Sequence, residues 1–170
     1  MSGFLNEKTR ISNRMGPIVE YEIPILHPIL VHFPIVLILL GAAAVVTWAV
    51  VPKPFWYRVS VLAFALGAAS ALAAYLTGED AEHAAEDVPI VEEIVHLHED
   101  LAIYTLAATV VTLVALVVTQ PHLLSKREHA HRPPAPTAIR WTVAALALAA
   151  AVLVAWTSHL GGIMVWGVAR

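Results

Sequence analysis

An all-α, up-down bundle of four transmembrane helices is the fold class this sequence predicts, on three observations. Hydrophobic residues make up 59% of the 170 and charged residues only 14%, where a soluble domain carries roughly a quarter charged residues. The charges are clumped, which leaves four nearly uncharged stretches of about the twenty residues a helix needs to cross ~30 Å of hydrocarbon. None of the four alternates between apolar and polar residues, as the strands of a membrane barrel must.

Residues 1–24 read as a tail of mixed charge. They lack an apolar core ahead of a small-residue cleavage site, so no cleavable signal peptide is expected. The four-helix domain is expected over 25–162, with spans at about 28–51, 55–77, 99–119 and 139–160, and a short tail at 163–170. In span one, Pro28 suits a first helical turn, whereas Pro34 removes a backbone donor inside the helix and predicts a local bend. Spans two and four are rich in alanine, among them Ala63, Ala68, Ala71, Ala144, Ala147 and Ala151; small residues of this kind let membrane helices approach closely. Trp48, Trp56 and Trp141 are expected at one membrane interface, and Trp156 and Trp166 at the other.

Charge orients the chain. Four spans put both termini on the same side as the connection between spans two and three. Lys53, Arg58, Lys126, Arg127, Arg132 and Arg140 fall on the opposite side, which positive residues mark as cytoplasmic. Both termini are therefore expected outside the cytoplasm, as in a bacterial cytoplasmic-membrane protein. Of the thirteen acids, nine lie between Glu79 and Asp100, giving the outer side an acidic surface suited to a basic partner. Cysteine is absent, which excludes disulfides, iron–sulfur ligation and thioether haem attachment through the chain's own residues. No phosphate-binding glycine loop, nucleophile elbow or nucleic-acid signature is present.

The histidines carry the chemical signal. Of nine, six (His27, His32, His83, His96, His98 and His159) belong to the outer side, and an ionisable side chain within a span points to function. Steps of four and three from His98 reach Ala102, Thr105, Thr109 and Thr112, a small and polar stripe that should face the bundle interior. The same steps from His96 give Asp100, Ile103, Ala107 and Val110, a face for water and lipid. His27 and His32 lie about 140° apart on an undistorted helix and should not share one ligand face; His32, the deeper, is the expected ligand. In an up-down bundle spans one and three are diagonal, so His32 and His98 would face each other. Imidazoles on facing helices can hold a haem iron, so one haem b is expected on His32 and His98, with His27 and His159 in reserve and histidines enough for a second haem.

Two other readings stand beside this one. One is a cofactor-free scaffold or accessory subunit of a larger complex. The other is zinc or copper bound at the outer rim by His83, His96 and neighbouring acids. The Glu-x-x-His spacing of Glu93 and His96 matches half of a di-iron carboxylate site, but spans one, two and four offer no buried acid to complete one.

The run His27-Pro28-Ile29-Leu30-Val31-His32-Phe33-Pro34 resembles the opening motif of the bacterial membrane family called domain of unknown function 2231. Thr77-Gly78-Glu79 after span two, a histidine opening span three and Gly161-Gly162 after span four are similar to that family's later landmarks. The resemblance runs from about Ile25 to the C-terminus. It implies a four-span bacterial membrane protein, and the family's occasional fusion to Rieske-type or other redox modules implies electron transfer. The partners expected on that reading are membrane lipid, a quinol, and a basic redox protein or a larger respiratory or photosynthetic complex. One departure is plain. Family tails often continue from the paired glycines through an aromatic to a histidine, whereas Gly162 is followed by Ile163-Met164-Val165-Trp166-Gly167.

Overall fold

The computed structural model describes residues 26–83, 89–119 and 135–164. Within them lie five helices: α1 (Leu26–Leu30), α2 (His32–Val50), α3 (Pro54–His83), α4 (Pro89–Thr119) and α5 (Thr137–Gly162). Four segments are long and apolar enough to cross a membrane: His27–Val50, Pro54–Gly78, Ile94–Thr119 and Thr137–Met164. The first joins α1 and α2 through Val31. There the expected effect of Pro34 is visible: its missing N–H leaves the Leu30 carbonyl without its helical donor, and the next backbone bond, from Ile35 to Val31, is stretched to 3.4 Å, although Val31 itself keeps helical dihedrals (φ −63°, ψ −23°).

The helices pack in a ring. α2 packs on α3, α3 on α4, α4 on α5, and α5 returns to α2, so that α2 and α4 are diagonal, as an up-down bundle requires. The buried face of α5 reads Val143, Ala144, Ala147, Ala150, Ala151 and Val154. That spacing, close to 3.5 residues, is the seam of left-handed membrane bundles. Gly41 of α2 lets the Phe64 ring of α3 sit where a Cβ would stand only 2.9 Å from it. Around this ring the surface is apolar: Ile29, Phe33, Val36, Leu62, Val118 and Val152 are all exposed. A helix that is apolar on every side belongs in lipid or in a large core.

At the end carrying the α2–α3 connection, large side chains interlock. Trp48 and Tyr57 are fully buried with ring centroids 5.4 Å apart, and the Tyr57 hydroxyl donates to the Leu116 carbonyl at 2.8 Å. Trp48 is thus a core residue and not the interfacial one expected, whereas Trp141 and Trp156 do face outward. Arg140, expected on a charged surface, is buried. Its guanidinium donates to the Ala49 carbonyl at 2.9 Å and, more weakly, to that of Trp48 at 3.4 Å. It thereby satisfies carbonyls that the last turn of α2 leaves without partners and complements the negative end of that helix.

The opposite end departs from expectation in length. α3 continues to His83 and α4 begins at Pro89, so much of the acidic stretch expected as a loop is helix.

Candidate functional site, a pair of seated imidazoles

At the end of the bundle where α1 begins and α5 ends, two histidine rings turn inward. His27, on α1, is part-buried against α3: its Nδ1 lies 3.3 Å from the Thr77 hydroxyl, and its ring meets the Ala74 carbonyl. A Cβ added to Gly78 would stand 3.3 Å from His27 Cε1 and 3.7 Å from Nδ1. The Nδ1–Cε1 edge of the imidazole therefore rests on α3, in the space the glycine leaves.

His98, on α4, repeats the arrangement on α5. A Cβ added to Gly161 would stand 3.2 Å from His98 Cε1 and 3.8 Å from Nδ1, and the ring meets the carbonyl of Thr157. In both cases the carbonyl belongs to the residue four before the glycine, one helical turn below the seat. Each helical hairpin thus sets a histidine of its first segment on a glycine and a carbonyl of its second. The two rings lie within electrostatic reach of each other, although they come from diagonal helices.

Their surroundings differ in one respect. His27 has the Thr77 hydroxyl, whereas the residue preceding Gly161 is Leu160, and His98 Nδ1 is buried without an aligned hydrogen-bond partner. Beneath His98 the Thr105 and Thr157 hydroxyls meet at 3.0 Å, which links α4 to α5. Beside it the Tyr75 hydroxyl approaches Glu99 Oε1 at 3.4 Å, which links α3 to α4.

The family profile described as "Predicted membrane protein (DUF2231)" matches residues 23–169. The chain belongs to this family. It is a multi-pass membrane protein, and the landmarks of the DUF2231 resemblance now have physical roles: the opening His-Pro places His27, Thr77-Gly78 receives it, the histidine of span three is His98, and Gly161 receives that. No curated protein and no solved structure matches this DUF2231 chain.

The helical phase expected for His98 holds. Thr105, Thr109 and Thr112 are buried on its side of α4, while His96 is exposed. Of the span-one histidines it is His27 that turns inward, and not His32 as expected. His32 is exposed and its Nδ1 bonds the Pro28 carbonyl one turn back, at 2.6 Å, so it does not face His98 across the interior. With the two rings about 140° apart on a helix, inward His27 implies outward His32. His159 is exposed as well, two residues from Gly161 and on the opposite face of α5. Among the described residues no cluster of three or more His, Asp or Glu side chains could hold a metal ion. The side chains of His83 and Glu93, together with His122, His129, His131 and Trp166, lie outside the described residues.

Proposed function

We propose that this protein is a membrane electron-transfer subunit that holds one haem b between His27 and His98. The observation that carries this reading is a pair of part-buried imidazoles from diagonal spans, within electrostatic reach of each other and each seated on a glycine of the following span. A haem iron takes four ligands from its porphyrin and two from the protein, and two converging imidazoles match that requirement. The donor set fits in kind as well. His98 Nδ1 is a buried polar atom with no aligned partner, and the Nδ1–Cε1 edges of the two rings take up the space at the glycines, which leaves Nε2 of each ring on the side away from its seat. When bound, haem would supply reversible one-electron chemistry.

The chain's own residues define the rest. Thr77 and the Ala74 carbonyl hold the His27 ring, the Thr157 carbonyl and Gly161 hold that of His98, and the small residues of α3 and α5 let the helices close around the pair. The apolar exterior keeps the site within the low-dielectric slab, where a buried cofactor is shielded from water. On the charge asymmetry of the sequence, the site lies toward the extracytoplasmic side of a bacterial cytoplasmic membrane. The acidic residues 79–100 there offer a docking surface to a basic redox partner, and quinol is a suitable membrane donor.

The test is an absorption spectrum of the detergent-purified full chain, oxidised and then reduced with dithionite, after expression with haem precursor supplied. A stoichiometric bis-imidazole spectrum that disappears in His27→Ala and His98→Ala but survives in His32→Ala supports the reading. Loss in His32→Ala with retention in His27→Ala would return the ligand role to the histidine that the sequence favoured. A colourless wild-type protein would overturn the haem assignment in favour of a cofactor-free scaffold, or of zinc or copper bound through His83 and His96.

A further inference from the structure

The hydroxyl of Thr77 has a single proton, and two carbonyls of its own helix compete for it. Thr77 Oγ1 lies 3.1 Å from the Ala73 carbonyl and 3.0 Å from that of Ala74. Carbonyl oxygens only accept, so the hydroxyl proton is spent within α3. Toward His27 Nδ1, at 3.3 Å, the same oxygen can only offer a lone pair, and the proton in that contact must come from the ring. The Ala74 carbonyl also meets the ring, and it too can only accept. An acceptor held at Nδ1 selects the neutral form with the proton on Nδ1 and the lone pair on Nε2.

We propose that Thr77 is a positioning residue: it fixes His27 as the Nδ1–H tautomer and so reserves Nε2 as the nitrogen free to bind a ligand. His98 has no hydroxyl in the corresponding place, because Leu160 precedes its glycine, and its Nδ1 lacks an aligned partner. The two imidazoles are therefore unequal. His27 is held in one tautomer and one orientation by a hydroxyl at Nδ1, while His98 has the Thr157 carbonyl and the fit against Gly161 but no partner at Nδ1. A histidine whose second nitrogen donates a hydrogen bond is the more basic and better-oriented ligand.

The assignment of Thr77 rests on the imidazole pair as a ligand site, but its test does not need the ligand. Full-length protein carrying ¹⁵N-labelled histidine is prepared free of haem, and the ring nitrogens of His27 are assigned by their absence in His27→Asn. The wild type should show a protonated Nδ1 and an unprotonated Nε2 at His27. Thr77→Val, nearly isosteric but without the acceptor, should lower the ratio of the two tautomers by roughly fivefold, the effect of one ordinary hydrogen bond. Thr77→Ser should restore it. A wild-type His27 protonated on Nε2 overturns the proposal, and so does a tautomer ratio that Thr77→Val leaves unchanged. If haem is bound, Thr77→Val should also raise the reduction potential, because a less basic ligand stabilises ferric iron less, and Thr77→Ser should not. A colourless protein with the expected Nδ1–H tautomer would defeat the haem reading and leave the role of Thr77 standing.

Discussion

At its connecting end the bundle is filled by Trp48, Tyr57 and Leu116, all fully buried, and by an arginine that grips the carbonyls of another helix. At its terminal end the same four helices enclose two imidazoles, two glycines and several hydroxyls. The first set fills volume and leaves nothing to exchange. The second set trades bulk for polar groups, and each end keeps one buried nitrogen without an aligned partner, Arg140 Nε in the first and His98 Nδ1 in the second. A membrane bundle gains no hydrophobic driving force between helices, so interlocking side chains must supply its stability. Here they are concentrated away from the histidines. The difference teaches that the bulky packing of the fold is concentrated at one end and its polar side chains at the other.

Substitutions can break that division or sharpen it. Trp48→Ala should cost the most, roughly 3–5 kcal/mol as for other buried large-to-small changes, read as earlier unfolding in a denaturing-detergent titration. On the proposed haem reading, haem binding by the protein that remains folded should persist. A stability loss below about 1 kcal/mol would show that the connecting end is not the anchor. Arg140→Met should cost about 1–3 kcal/mol, since it leaves the Ala49 and Trp48 carbonyls without their donor, and Arg140→Lys should recover part of the loss. If Met and Arg are equally stable at this position, the guanidinium contact contributes nothing.

Gly161→Ala and Gly78→Ala should have the smallest effect on stability. The neighbouring ring must yield only a few tenths of an ångström at contacts of 3.2 and 3.3 Å, and the better helix propensity of alanine, about 1 kcal/mol over glycine, offsets the crowding. Their effect should appear at the histidines, as a displaced ring resonance and a shifted reduction potential. Unchanged histidine signals in both variants would mean that the glycines are ordinary packing residues and that the two ends differ less than their composition implies.

The sequence made the fold legible because lipid imposes a simple code. Four uncharged stretches, a proline that breaks the first, and small residues on two of them lead directly to the bundle, and the Thr105-Thr109-Thr112 stripe was enough to turn His98 inward. The choice of its partner was not legible. His32 looked better because it lies deeper in span one. Two contacts outside the reach of span counting turn His27 inward and not His32. The Pro28 carbonyl, one turn back, captures the His32 ring, and Ala74, Thr77 and Gly78 of α3 form the wall on which the His27 ring rests. A signal was available in the pairing of each early histidine with a later glycine, His27 with Gly78 and His98 with Gly161. It becomes readable only once both are known to sit at the same depth.

The recurrence of one seat in each hairpin bears on assembly. Everything needed to place a single imidazole, namely the histidine, the glycine and the carbonyl one turn below it, lies within two consecutive helical segments. Each hairpin can therefore prepare its half before it meets the other, and the pair comes into being only when α2 docks on α5 and α3 on α4. The molecule is in this sense modular, two like halves joined in one chain. The site is a product of their docking, so anything that needs both imidazoles will find them only on a chain whose halves have come together.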